Sequence, residues 1–432
     1  MFVSDCLNVN LRGHLTIGGC DTLELAEQFG TPLYVMDEAA IVKNCRKYVE
    51  SIATYYNGRG RAYYASKAFC CKEICRIMEN AGMGLDVVSG GELYTAMSVG
   101  FPAGHICFHG NNKTPDEINY ALDCGVGRFV VDNLTELALL NTLALARDKK
   151  PSVLFRIKPG IDAHTHNFIR TGQIDSKFGL ALETGEAEEA VKQALALPGI
   201  SLKGMHCHIG SQIFDIAPFE LAAEVMINFM ADMRDRHGAS LTELNLGGGF
   251  GIQYVPGQDP VPYDRYMQAV SETVKKACEA RDMEMPFIML EPGRSIVASA
   301  GITLYTVGAV KEIPGVRTYV SVDGGMGDNP RYALYQAEYA AVVADKAAEK
   351  PTETVTIAGK CCESGDLIQE HTAIQPVRAG DILAVFATGA YNYSMASNYN
   401  RIPRPATVMI RDRQPRLIIR RESFEDLVRN DV

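Results

Sequence analysis

The sequence lacks several things, and each absence narrows what it can be. No uninterrupted apolar run reaches the ~20 residues a helix needs to cross a bilayer, so a membrane-spanning protein is not expected. The N-terminus, Met1-Phe-Val-Ser-Asp-Cys6, has no basic stretch followed by an apolar core, so no secretory leader is expected. Positive charge is in deficit: 42 Lys and Arg stand against 52 Asp and Glu, a net charge of -10. That argues against nucleic acid and anionic membrane as partners, although one local site can still be basic. The 12 cysteines show no paired CxxC pattern, so a zinc site is not expected. Without a leader their thiols are expected to be reduced, in the cytoplasm, and mostly small core residues. Internal repeats and low-complexity segments are absent.

What is present is a globular chain of 432 residues, 47% hydrophobic and 22% charged, enough for two or three domains or a barrel plus an extra domain. Residues 1–34 are mixed and strand-like, with turns at Gly13, Gly18-Gly19 and Thr31-Pro32. Asp37 is placed to cap a helix over Glu38–Ile52. Strand-like runs follow at Ala62–Ala65, Leu85–Val88, Ile106–Phe108, Phe129–Val131, Val153–Ile157, Leu202–Cys207, Leu244–Leu246 and Phe287–Leu290. Helical periodicity lies between most of them, over 69–80, 91–99, 115–123, 134–147, 184–196, 217–236 and 263–280. That alternation predicts an α/β fold, a (β/α)8 barrel with helix 38–52 completing the outer ring. A doubly wound sheet is the alternative, but it needs no eighth unit.

Beyond Arg294, Val- and Thr-rich runs at 296–311, 317–323, 353–358, 382–387 and 406–411 are separated by Gly and Pro turns. They predict an antiparallel β-sandwich or barrel domain, with 342–352 as an exposed connection. Residues 1–34 are expected to join it. The expected division is therefore 35–295 for the barrel, and 1–34 with 296–432 for a discontinuous β domain.

A barrel of this kind carries its chemistry where the strands end. After the first expected strand comes a single lysine, Lys67. Desolvation there would favour a neutral amine, which can condense with an aldehyde; the plainer reading is a lysine reaching out to water. After the second come Asp86 and Ser89-Gly-Gly-Glu92. After the sixth come His206-Cys-His208-Ile-Gly-Ser211-Gln212, and after the seventh Gly247-Gly-Gly-Phe-Gly251. Glu291-Pro-Gly293-Arg294 follows the eighth. The triple glycine and the Gly293-Arg294 turn are suited to a phosphate, or the first is merely a tight turn. Glu291 could keep a pyridine nitrogen protonated, or form an ion pair at the barrel rim. His206 and His208, like His164 and His166, have the spacing of a metal pair, but no carboxylate or cysteine in the sequence clearly completes either set, and no metal is expected.

Tyr64-Ala-Ser-Lys67-Ala, His208-Ile-Gly-Ser-Gln212, Gly247-Gly-Gly, Glu291-Pro-Gly-Arg294 and Cys362-Glu-Ser-Gly-Asp366 occur in this order. Together they resemble the alanine-racemase-fold, pyridoxal-phosphate-dependent amino-acid decarboxylases over nearly the whole chain. Four further stretches favour the branch acting on meso-diaminopimelate: Pro159–His166, Asp175–Gly179, Asn329–Tyr335 and Ser397–Pro405. The resemblance implies that Lys67 carries pyridoxal 5'-phosphate, that His208 stacks on its ring, and that Glu291 pairs with its nitrogen. It implies Ser211, Gly249, Gly293, Arg294 and Tyr391 as phosphate ligands. The distal carboxylate of the substrate would meet Arg331, Arg294, Tyr335 and Tyr391, and its distal ammonium Glu363. Cys362 would supply the proton that replaces carbon dioxide, from the partner subunit of a homodimer; a buried inert thiol is the plainer reading. Asp86, Glu92 and Asp323 match polar family positions.

The implied reaction is the last step to lysine. The alternatives are a same-fold decarboxylase of ornithine, arginine or carboxynorspermidine, a racemase, a barrel aldolase, or an inactive regulatory homologue. Arg331 separates the first group, because those substrates carry no distal carboxylate.

Overall fold

The computed structural model describes residues 2–161 and 176–432. Residues 162–166 and Asp175, with His164 and His166 among them, lie outside that range, so the first two branch-favouring stretches are only partly described. The chain forms two compact units: Asn44–Gly251 with Pro260–Gly293, and Met1–Lys43 with Ile252–Asp259 and Arg294–Val432.

In the first unit eight parallel strands close into a ring: Gly60–Ala65, Gly84–Val87, Ile106–Phe108, Arg128–Val131, Ser152–Lys158, Ser201–Cys207, Glu243–Asn245 and Phe287–Leu290. Each pairs with the next, and the eighth returns to the first with Ile288 opposite Gly60. All eight expected runs are strands, with no end shifted by more than two residues. They read as unbroken apolar runs because both faces are covered, by the barrel interior and by the outer helices. Tyr63, Cys107, Val130, Leu154 and Met289 fill the interior as one buried cluster. At the N-terminal ends of the fourth and seventh strands, Arg128 makes a two-pronged pair with Glu243, at 2.9 and 2.7 Å. Charges at that end of a barrel serve the fold.

The helix before the first strand runs over Glu38–Tyr55, and Asp37 accepts the Ala39 N–H at its start. Its Tyr48 stacks on Tyr263 of the helix Tyr263–Ala280, with ring centroids 5.4 Å apart. It thus stands beside the helix between the last two strands and completes the ring.

The second unit is mostly sheet. Gly301–Ile313 is its spine. Its first half pairs with Leu33–Asp37 on one side and Ile382–Phe386 on the other; its second half pairs with Arg317–Val322. Most pairings are antiparallel, but two are parallel: Leu33–Asp37 with Ala406–Arg411, and Arg317–Val322 with Glu353–Ala358. A strand from residues 1–37 therefore sits inside this sheet. Three features depart from the sequence reading. Thr22–Phe29 is a helix capped by Asp21, where strand was expected. Ala341–Val343 is a strand against Ile382–Phe386, with Val343 and Ala344 buried, so 342–352 is only partly an exposed connection. Strands Leu367–Ile374 and Gln414–Ile419 were not anticipated. Among the described residues no helix is long and apolar enough to cross a membrane.

Candidate active site

The barrel strands end at a group of buried ionisable side chains. Glu291 follows the eighth strand and is 8% exposed. Three other strand ends converge on it. Asn245, the last residue of the seventh strand, donates to Oε1 at 2.6 Å, and His206 of the sixth lies 3.0 Å from Oε2. His109, directly after the third strand, places Nε2 2.6 Å from Oε1. Burial alone would push the Glu291 carboxyl up, but the two imidazoles reverse this and hold it well below the usual range. Burial pushes His206 down to about 4, so it is a neutral donor. Asp86, on the second strand, has Oδ1 3.7 Å from the same His109 nitrogen. Its carboxyl is pushed up to about 6, by burial first and by the neighbouring Glu291 charge, against the pull of His109.

His109, His206 and Glu291 also form a potential metal-ligand set. Zinc bonds of about 2.0–2.1 Å hold tetrahedral ligand atoms ~3.3 Å apart. The separations of 2.6 and 3.0 Å are shorter: the second is a hydrogen bond from His206, and the first a close ionic contact of His109.

His208 stands past the end of the sixth strand. Its Nδ1 accepts the Gly248 N–H at 3.3 Å, and burial, with the nearby Lys67 and Arg156 charges, holds it well below its ordinary range. The glycine loop is packed too tightly for side chains. A Cβ on Gly248 would meet the Glu291 carbonyl at 2.2 Å, and Gly249, at φ +116°, would meet the Gly210 carbonyl at 2.5 Å. Ser211 is partly exposed, and Gly293 is buried against Ala65 and Ala68. Lys67 does not lie in the strand: it occupies a turn, Ser66–Ala68, with its side chain exposed, because the ladder to the second strand ends at Ala65. Ser89 and Glu92 serve the helix Gly90–Met97. Ser89 accepts the Glu92 N–H, and Glu92 reaches back to the Val88 N–H at 2.7 Å.

The second unit carries a separate cluster. Arg294 and Arg331 are 7% and 8% exposed, and both donate to the Tyr254 hydroxyl, at 2.5 and 3.1 Å. Arg331 also donates to Tyr339 at 3.0 Å. Among the described residues no carboxylate comes within the 4.0 Å of an ion pair with Arg331. The Tyr391 ring faces both cations, 4.8 Å from Arg294 and 5.7 Å from Arg331, and Tyr335 lies 5.9 Å from Arg331. Burial would push the Tyr254 phenol up, but the two guanidiniums outweigh it and hold it below its ordinary value.

Cys362 and Glu363 are exposed on a loop of this unit. The buried Asp366 organises that loop by accepting the Cys361 N–H at 2.7 Å and the Met326 N–H at 2.5 Å. Asn400 accepts the Cys362 N–H at 2.7 Å. Asp323 accepts the Thr31 hydroxyl and the Thr306 N–H, a tie within the sheet.

Sequence reasoning missed His109, Asn245, Tyr254 and Tyr339. His109 had a signal, since it directly follows an expected strand in Ile106-Cys-Phe-His109. The other three had none, because asparagine and tyrosine are ordinary in loops and strand ends.

A closed barrel with a buried acid between imidazoles, a glycine loop one strand away and a lysine beyond its first strand suits a pyridoxal phosphate site. The donor set fits: an ionised carboxylate for a ring cation and a neutral imidazole beside it. The family model described as "Pyridoxal-dependent decarboxylase, pyridoxal binding domain" matches residues 38–298. The chain belongs to the pyridoxal-phosphate-dependent decarboxylases, in the diaminopimelate decarboxylase family. It is 49% identical to diaminopimelate decarboxylase of Bacillus subtilis over 100% of this chain and 98% of that one. The crystal structure of diaminopimelate decarboxylase from M. jannaschii in co-complex with L-lysine superposes with a TM-score of 0.92 at 37% identity, covering 100% of this chain and 99% of the other. The Helicobacter pylori enzyme complexed with L-lysine gives 0.87 at 30% identity, over 95% of this chain and 98% of that one.

Proposed function

We propose that this chain removes one carboxylate of meso-diaminopimelate, yielding lysine and carbon dioxide. The observation that carries the reading is Arg331. It is a buried guanidinium whose hydrogen-bond acceptors among the described residues are phenols, beside a second buried guanidinium, Arg294. Two such cations suit a carboxylate at the far end of the substrate. Ornithine and arginine have no such group. The solved relatives bound to L-lysine support the choice of product.

Pyridoxal phosphate, when bound, supplies an electron sink beside the α-carbon. The proposed part of Lys67 is to hold it through its amine. His208 lies against its ring, and Glu291 holds its ring nitrogen as a cation. Ser211, Gly249, Gly293, Arg294 and Tyr391 hold its phosphate. Arg331, with Arg294, Tyr335 and Tyr391, binds the distal carboxylate, and Glu363 the distal ammonium. Handedness is read there, since the two ends of meso-diaminopimelate differ only in configuration. Cys362 protonates the α-carbon as the carboxylate leaves, so one carbon–carbon bond breaks and one carbon–hydrogen bond forms. In this proposal Cys362 comes from the partner in a homodimer; its exposure on a pinned loop supports that. The cofactor part is drawn as 35–295 and the β domain as 1–34 with 296–432. The setting is cytoplasmic, supported by free thiols at all 12 cysteines, and without nucleic acid or membrane as partner, supported by a net charge of -10.

The test is turnover of the cofactor-loaded protein on meso-diaminopimelate, with lysine and carbon dioxide measured. One-to-one formation is expected. Release of putrescine from ornithine with no lysine from diaminopimelate would refute the substrate assignment.

A further inference from the structure

Glu291 is one of two buried acids that share a neighbour. His109 stands between them, with Nε2 2.6 Å from Glu291 and 3.7 Å from Asp86, and its ring meets His206 edge-on at 4.8 Å. Neither contact has the alignment of a hydrogen bond, and the shorter one pairs His109 with Glu291. A carboxylate offers about four acceptor positions. Asn245 and His109 crowd Oε1, while Oε2 meets only His206 among the described residues, which leaves room on Oε2 for one more donor.

We propose that His109 is a positioning residue that selects Glu291, rather than Asp86, as the ionised acid and aims its free oxygen position at a cationic ring nitrogen. The proposal rests on the function reading above, which puts that nitrogen against Glu291. The charges facing the group are consistent with it. Arg156 and Lys67 act on Asp86, Arg156 also acts on Glu291, and the thiols of Cys107 and Cys207 are held protonated by burial. Without His109 beside Glu291, Glu291 and Asp86 would be two close buried acids, and desolvation would drive one of them neutral. A neutral Glu291 cannot retain a ring cation.

The experiment compares binding of pyridoxal 5'-phosphate and of its carbocyclic analogue, which has carbon in place of the ring nitrogen. Dissociation constants are measured for cofactor-stripped parent, His109→Phe and His109→Gln proteins. His109→Phe is expected to weaken pyridoxal phosphate by about tenfold or more while leaving the analogue within about twofold. His109→Gln, whose amide can donate to Oε1, is expected to restore most of the difference. Equal weakening of both compounds, or of neither, would overturn the proposal, since a residue that only shapes the pocket cannot distinguish them.

Should His109→Phe fail to fold, the ring-nitrogen 15N shift of labelled cofactor decides between His109→Gln and the shorter His109→Asn. A protonated-nitrogen shift kept in the first and lost in the second supports the proposal; the same shift in both overturns it. A parent that binds neither compound would overturn the function reading itself, a result distinct from all of these.

Discussion

Arg294 and Arg331 share one phenol oxygen: their Nη1 atoms lie 2.5 and 3.1 Å from the Tyr254 hydroxyl. Two buried like charges are costly unless something neutral spaces them or an anion joins them. Tyr254 does the first, and a carboxylate or phosphate would do the second.

The first prediction concerns this pair. Arg331→Lys keeps the charge and loses the planar fork. Transition-state stabilisation on meso-diaminopimelate should fall by about 2–5 kcal/mol, as when a buried charge pair is broken. Activity on ornithine should be low in the parent and should not fall in parallel. Tyr254→Phe should cost about 1–3 kcal/mol through lost acceptors. The readout is kcat/KM for both substrates, and equal proportional losses would remove Arg331 from substrate selection.

The second concerns assembly. Lys67→Ala should lose the visible absorbance of the bound cofactor and all activity, and Cys362→Ala should lose activity. If Cys362 serves the partner's site, mixing the two inactive proteins under subunit exchange should restore part of the activity. A mixture shown to exchange subunits that stays inactive would refute the shared site.

The third concerns the loop behind His109. Lys113, 6% exposed, forms a 2.7 Å pair with Glu136 and donates to the Gly110 and Val130 carbonyls. Burial opposes the charge on both partners, pulling Lys113 down and pushing Glu136 up. Lys113→Met leaves a buried carboxylate alone and should destabilise by about 3–5 kcal/mol. Adding Glu136→Gln removes that charge but keeps an acceptor for the Asp132 N–H, and should recover ~1 kcal/mol or more. Denaturant titration of the three proteins measures this; strict additivity would show that the pair is uncoupled.

The fourth concerns pH. Burial pushes the Asp328 carboxyl from 3.8 up to about 7, with Asp323 and Asp366 adding to the rise and the Tyr305 hydroxyl and Gly325 N–H opposing it. A raised carboxyl binds its proton more tightly in the folded state. Its stabilisation is therefore full below the unfolded pKa and is lost as pH rises through about 7. Between pH 5 and 8 this group alone should remove up to about 3 kcal/mol. Asp328→Asn should flatten that slope. An unchanged difference between pH 5 and pH 8 would show that Asp328 is ionised in the fold throughout.

The barrel was legible because its signals are local. Apolar runs such as Ile106–Phe108 and Phe287–Leu290 report burial on two faces, and the helical period between them reports the return path. The β unit was less legible: strand Leu367–Ile374 is exposed at His371 and Ala373, so its apolar pattern is broken, and helix Thr22–Phe29 is short. Of the candidate site, Lys67, the glycine loop and Glu291-Pro-Gly-Arg294 were legible as candidates, because each follows an expected strand within a few residues. Only the tertiary structure decided that His109 and Asn245, 182 and 46 positions from Glu291, meet its carboxylate, and that Tyr254 joins two arginines 37 positions apart. In the first unit closure of eight strands brings distant strand ends to one place, in the second the pairing of distant strands does so, and no periodicity along the chain records which side chains will then face each other.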